Sequence, residues 1–233
     1  TTALIAFANG ADIRIISGSG ANGLALVGQS SFAGPVSLAD QVIGTVSGDT
    51  LEQIAYTYVQ KHPELRGRVK FRYFSDPIAL IQALKNKEVA AITHVEPFVT
   101  RLVESDGMKL IARGEEVWGR THPDCVLITT ASAIRTRRED LKELISLLLD
   151  AEKKINSDMK AAVETVAEPV YQMKATDLLT AVKAQFPKID IRDSEAFMME
   201  RSAALRDLGH IKSSPTASIF DFSMLKEVAD SRK

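Results

Sequence analysis

Four small polar residues, Ser47-Gly48-Asp49-Thr50, stand between the β-branched run of Val42, Ile43 and Val46 and an amphipathic repeat of Leu51, Ile54, Ala55 and Tyr58. A strand that runs through such a turn directly into a helix leaves the first backbone N–H groups of the helix without intrahelical partners and aims the positive end of its dipole at the turn. A carboxylate, sulfonate or phosphate would be held there without any lysine. Every strand-to-helix junction also needs a cap, and the same residues supply one with no ligand present. The turn therefore reads either way. A second group with chemical potential is His94-Val95-Glu96-Pro97, which closes an apolar run over residues 89–93. Glu96 suits a ligand ammonium, or it caps the helix that starts at Pro97. His94 has no acid or nucleophile nearby in sequence and reads as a hydrogen-bonded wall residue rather than a catalyst. Trp118, the single tryptophan, lies in a connector, where it packs a ligand or plugs a junction.

Other chemistries find less support. The histidines at 62, 94, 122 and 210 lack the paired spacing and neighbouring carboxylates of a zinc site, so no metal and no cofactor is expected. The single cysteine, Cys125, begins a strand instead of a helix and is expected to be an inert buried thiol. Gly18, Gly20 and Gly23 spell G-x-G-x-x-G, but the following residues, LALVG, read as a strand, whereas a dinucleotide fingerprint opens a helix.

The elements that must position these groups follow from periodicity. Residues 3–8 look like the end of a helix stopped by Asn9-Gly10, and residues 13–16 form a short strand. Residues 17–23 read as a flexible loop of small residues, followed by a strand over residues 24–27. From residue 42 to 112, strands and helices alternate, which predicts an α/β lobe with a mostly parallel sheet. In such a sheet, ligands lie outside the carboxyl ends of the strands, so the Ser47–Thr50 and His94–Glu96 turns are expected at one edge. A strand over residues 125–130 precedes a helical region, with helices expected over residues 138–157, 160–167, 174–186 and 194–208.

Composition bounds the function. The 233 residues are 45% hydrophobic and 25% charged, enough for one large domain or two small ones. Lys plus Arg at 29 against Asp plus Glu at 30 gives a net charge of -1, which offers nucleic acid or an anionic membrane no long-range attraction. No run reaches about 18 apolar residues, the length of a transmembrane helix. The first ten residues carry no basic n-region of a signal peptide.

The order of SLAD, VIGTVSGDTLEQI, LKNKEV, AAITHVEPF and VLITTASAI resembles the substrate-binding proteins of ABC importers, in the branch for nitrate, alkanesulfonates, taurine and thiamine-pyrimidine precursors. The resemblance implies an α/β, type II periplasmic-binding-protein-like fold of two lobes with a ligand cleft. Residues 1–40 and 116–233 would form the first lobe with its crossover segments, and residues 41–115 the second. It further implies ligand contacts from Ser17, Gly18 and Ser19 in the first lobe, and from Ser47, Gly48, Asp49, Thr50, His94 and Glu96 in the second, with Trp118 as a hydrophobic wall. Family members begin with a strand-helix-strand unit that this chain does not contain. The first lobe is accordingly expected to be incomplete at its N-terminus, and its exposed edges lead to an expected homodimer. The implied function is an extracytoplasmic, periplasmic, non-enzymatic protein that binds a small anionic or zwitterionic ligand and delivers it to the importer's membrane subunits. Two alternatives stand beside it: an enzyme of the thiamine-precursor type with His94 and Glu96 as acid and base, or a truncated chain without ligand function.

Overall fold

The computed structural model describes residues 1–232. In chain order its elements are α1 (Thr2–Ala8), β1 (Ile13–Gly18), β2 (Gly20–Asn22), β3 (Leu24–Gly28), β4 (Val42–Thr45), α2 (Thr50–Lys61), β5 (Lys70–Tyr73), α3 (Pro77–Lys85), β6 (Ala91–Val95) and α4 (Phe98–Glu104). There follow β7 (Lys109–Arg113), α5 (Gly114–Trp118), β8 (Val126–Thr130), α6 (Ala131–Thr136), α7 (Arg138–Ser157), α8 (Met159–Val166), α9 (Ala175–Ala184), β9 (Gln185–Pro187), α10 (Glu195–Asp207) and α11 (Ser223–Asp230). The chain is thus α/β, as expected. Among the described residues no helix is long and apolar enough to cross a membrane.

Contacts divide the chain into two units. The first takes Thr1–Ala21, His122–Val166 and the residues from Phe186 onward; the second takes Asn22–Thr121 and Ala167–Gln185. The sequence draws the division at residues 40 and 115 instead. The difference arises because β3 is a strand of the second unit's sheet, pairing with both β6 and β7, and because α9 packs on α4.

The second unit is built on a five-stranded sheet in the order β5-β4-β6-β3-β7. Its strands β4, β5 and β6 are parallel neighbours, whereas β3 runs antiparallel to both β6 and β7. Four strands therefore share one direction and β3 opposes them, so the sheet is mixed where the sequence of residues 42–112 predicts a mostly parallel one. Leu24–Gly28 is apolar at every position because both faces are covered. Leu24 and Leu26 enter a core with Ile43, Leu51, Ile54 and Tyr58, while Ala25 and Val27 enter another with Leu80, Leu84, Ile92 and Val99. Helices α2 and α5 thus cover one face, and α3 and α4 the other. Gly44 permits this packing: a Cβ there would lie 2.8 Å from Leu80 Cδ1.

In the first unit β1 pairs antiparallel with β8, and Ile16, Ile145, Ile189, Met224 and Leu225 form the core beneath α7 and α11. Helix α7 spans the residues expected from its Leu and Ile spacing, and the packing of α11 on it is flanked by ion pairs of Glu227 with Arg138 and Lys142. Two sequence expectations are corrected here. Residues 17–23 are no flexible loop, because Ser17 and Gly18 are buried ends of β1 paired with Leu127 and Val126. Cys125 is exposed, not buried. It precedes β8, a strand that pairs only with β1 among the described residues and leaves Ile128 45% exposed.

Candidate functional site

The sheet topology of the second unit singles out one edge. From β4 the chain passes through α2 to β5 on one side, whereas from β6 it passes through α4 to β7 on the other. Between β4 and β6 the winding therefore reverses, and the crevice outside the carboxyl ends at such a point is where open α/β sheets hold ligands. The two strands are tied near that edge by Thr45 and Thr93, whose buried hydroxyls are 2.7 Å apart. The Ser47–Thr50 turn and the His94–Glu96 turn leave from the same edge, as the sequence leads one to expect.

The β4–α2 turn has the backbone of an anion site. Ser47 is exposed, Gly48 adopts φ +69°, where a side chain would be strained, and Asp49 is the N-cap of α2. Its N–H groups, however, face carboxylates of the chain itself. Asp49 Oδ1 accepts from Leu51 N at 2.9 Å, and Glu52 Oε2 accepts from Gly48 N at 2.7 Å. Glu52 is 1% exposed and stands close enough to the Tyr73 phenol to act on its titration. Tyr73 ends β5, its ring is half exposed, and its phenol is pushed up to about 12 by burial and then by the Glu52 carboxylate. Sequence reasoning missed both residues. The signal for Glu52 was present, since a Glu three positions after an Asp N-cap is the spacing of a capping box.

At the end of β6, both oxygens of Glu96 have partners. Oε2 accepts from Thr100 N at 2.9 Å, and Oε1 from Arg113 Nη1 at 3.1 Å, with the carboxylate side chain 2% exposed. This is the helix-capping alternative, strengthened by an ion pair. The Glu96-Pro97 peptide is cis. His94 is 1% exposed, its ring 4.7 Å from that of Phe98, and its Nδ1 accepts from Val95 N at 2.9 Å. That bond puts the ring proton on Nε2. Burial lowers the pKa of His94, against the opposing effect of the Pro77 and Val95 carbonyls, so the ring is a neutral wall group.

Trp118 is the last residue of α5 and donates from Nε1 to Thr57 Oγ1 at 3.3 Å. Thr57 lies seven residues along α2 from Thr50, about 10 Å at 1.5 Å per residue, so the indole packs on the middle of that helix and not at its turn. In the first unit, Ser17 Oγ donates to the Gly18 carbonyl, and a Cβ on Gly18 would collide with Ile191 and the Lys188 carbonyl at 2.5 Å. Ser19 alone of these three is exposed. Gly20 and Gly23 flank β2 with β3 following, so the glycine pattern opens no helix. Among the described residues no group of three His, Cys, Asp or Glu is placed to hold a metal ion.

A surface pocket of about 460 Å³ also belongs to the second unit, but it opens at the amino ends of β4 and β6, by Gln41, Val42, Val89 and Ala90. Two of its carboxylates, Asp40 and Glu88, are committed to Arg68 and Arg72. It lies at the opposite edge from the two turns.

Comparison with known proteins agrees with the fold. Residues 75–170 match the model of the NMT1-like family. No curated protein sequence matches the chain. The alkanesulfonate-binding protein SsuA from Xanthomonas axonopodis pv. citri, solved with MOPS bound, superposes with a TM-score of 0.79 at 14% identity, over 94% of this chain and 76% of its own. The ligand-binding component of an ABC-type import system from Staphylococcus aureus, solved with zinc bound, gives 0.79 at 17% identity, over 97% of this chain and 77% of its own. The desulfurization enzyme DszB gives 0.72 at 12% identity, over 100% of this chain and 84% of its own. The resemblance to importer substrate-binding proteins drawn from the sequence is therefore borne out. The expected homodimer draws no support from these likenesses.

Proposed function

We propose that this chain is a substrate-binding protein of an ABC importer, working outside the cytoplasm and holding a small anionic or zwitterionic molecule of the sulfonate, nitrate, taurine or thiamine-precursor type. The observation that carries this reading is the convergence of the β4–α2 and β6–α4 turns on one edge at the point where the winding of the sheet reverses. Ser47, Gly48, Asp49 and Thr50 are the proposed contacts of the second unit. Glu96 and His94 support the site from behind, one as a paired cap and the other as a neutral wall. The fold likeness to a sulfonate-binding protein and to an import component supports the same reading.

An enzymatic reading is favoured by one observation, the likeness to DszB. The acid–base pair it would use is poorly placed for proton transfer, because His94 is buried against Phe98 and Glu96 is bound to Arg113 and the α4 backbone. A thermal-shift series with sulfonates, nitrate, taurine and aminopyrimidines tests the binding reading. A ligand at 100 times its dissociation constant should add about 2.7 kcal/mol to stability. An unmoved melting temperature across every class would sink the proposal.

A further inference from the structure

The first unit has a cavity of its own, of about 350 Å³, within the range of about 300–1,000 Å³ that small-molecule pockets occupy. Arg192 and Glu195 line it from the turn into α10, and Phe220, Phe222, Ser223 and Lys226 from the start of α11. It shares no residue with the site proposed above.

The backbone sets its two rings. Phe220 is extended and bridges in parallel to Ile15 of β1, and Asp221 N donates to the Ile15 carbonyl at 2.9 Å. Side chains two positions apart on an extended segment share a side, so the rings of Phe220 and Phe222 stack, with centroids 5.6 Å apart and planes 27° apart. Both are half-buried, which leaves aromatic surface to the cavity.

The polar groups around the rings differ in what they already hold. Arg192 is paired with Asp190, which accepts from its Nε at 2.9 Å. Ser223 donates from Oγ and from its backbone N to Asp221 Oδ1, so the end of α11 is capped from within the chain. The side chains of Glu195 and Lys226 have no hydrogen-bond or ion-pair partner among the described residues, not even each other, although they line one cavity. A carboxylate and an ammonium too far apart to neutralise one another are complementary to a molecule that carries both charges. A bare anion would leave Glu195 unpaired, and a peptide end brings only one of the two charges.

We propose that this cavity binds a free aromatic amino acid, its ammonium on Glu195, its carboxylate on Lys226 and its ring against the Phe220–Phe222 pair. The ligand completes two ion contacts that the chain leaves open and extends an aromatic stack that the chain has begun.

Calorimetry on the full chain with L-phenylalanine tests this against three analogues that each lack one part: 3-phenylpropionate without the ammonium, phenethylamine without the carboxylate, and glycine without the ring. Phenylalanine is expected to bind about tenfold or more tightly than each of them. Glu195→Gln should bring phenylalanine down to the level of 3-phenylpropionate, and Lys226→Gln down to that of phenethylamine. Glu195 is half-buried and Lys226 exposed, so neither change opens the core, and melting temperatures check the variants. The ranking of the analogues on the wild type decides the matter even where a variant fails to fold. Absence of phenylalanine binding, an analogue that binds as tightly, or phenylalanine affinity unchanged in both variants overturns the proposal. None of these results touches the importer reading, which rests on other residues.

Discussion

Glu96 and Arg113 meet at 3.1 Å although the strands that deliver them are not neighbours: Glu96 follows β6, Arg113 ends β7, and β3 lies between. Because β6 and β7 run in the same direction, their carboxyl ends reach the same edge, and the pair bridges over the start of β3. The backbone N–H of Glu96 is fixed as well, donating to the Gly23 carbonyl just before that strand. The turn at the end of β6 is held from three directions before any ligand arrives.

Glu96→Ala removes the buried member of this pair together with the acceptor for Thr100 N, and leaves Arg113 partly exposed to water. The substitution is expected to lower stability by about 2 kcal/mol. Glu96→Gln should cost clearly less, because its amide oxygen still accepts from Thr100 N. Urea melts of the two variants measure the difference, and equal losses would show that the charge, lost in both, and not the Thr100 hydrogen bond carries the effect.

His94 gives the chain a pH dependence of known sign. Its folded pKa lies below the ordinary value of about 6.5, so the unfolded chain binds the proton more readily. The contribution to stability is complete above about pH 6.5 and is lost as pH falls from there toward the lowered folded value. His94→Gln should flatten that part of the curve of urea midpoint against pH, and an unaltered slope would assign the dependence to other groups.

Gly48 sits at φ +69° between β4 and the α2 cap. Gly48→Ala should cost about 1–2 kcal/mol from the left-handed backbone alone. Thermal melts should show the loss with the far-ultraviolet spectrum unchanged.

Cys125 is exposed and its thiol donates to Asp124 Oδ2 at 3.3 Å. A colorimetric disulfide reagent should titrate one thiol per native chain without denaturant. A thiol that reacts only after unfolding would contradict the exposed position.

How much of this was legible in the sequence depends on whether the signal was local. The β4-turn-α2 unit and the full length of α7 follow from periodicity and capping residues. The placing of the two turns at one edge also followed, because alternating strands and helices constrain the topology. The direction of β3 did not, since a run of five buried apolar residues looks alike whichever way it enters a two-sided sheet. Cys125 was misplaced for a related reason: VLITT reads as a core strand, but among the described residues only one edge of β8 is paired. At the site, Glu52 could have been found from its spacing to Asp49, whereas Tyr73, 21 positions further on, is joined to the turn by no local pattern.

The division of the chain also sets an order on its synthesis. The sheet of the second unit is complete in sequence once Arg113 has left the ribosome, whereas β1, which precedes that sheet, has no ladder partner among the described residues until β8 is translated more than a hundred residues later. The second unit then waits again for α9, which is encoded after the long helix α7 of the other unit. Nascent β1, with Ile15 and Ile16 bound for the interior, thus waits through the synthesis of the second unit's whole sheet as an unsatisfied apolar strand. Strand β1, and not the β4–α2 or β6–α4 turn, is where a chaperone has the most to do.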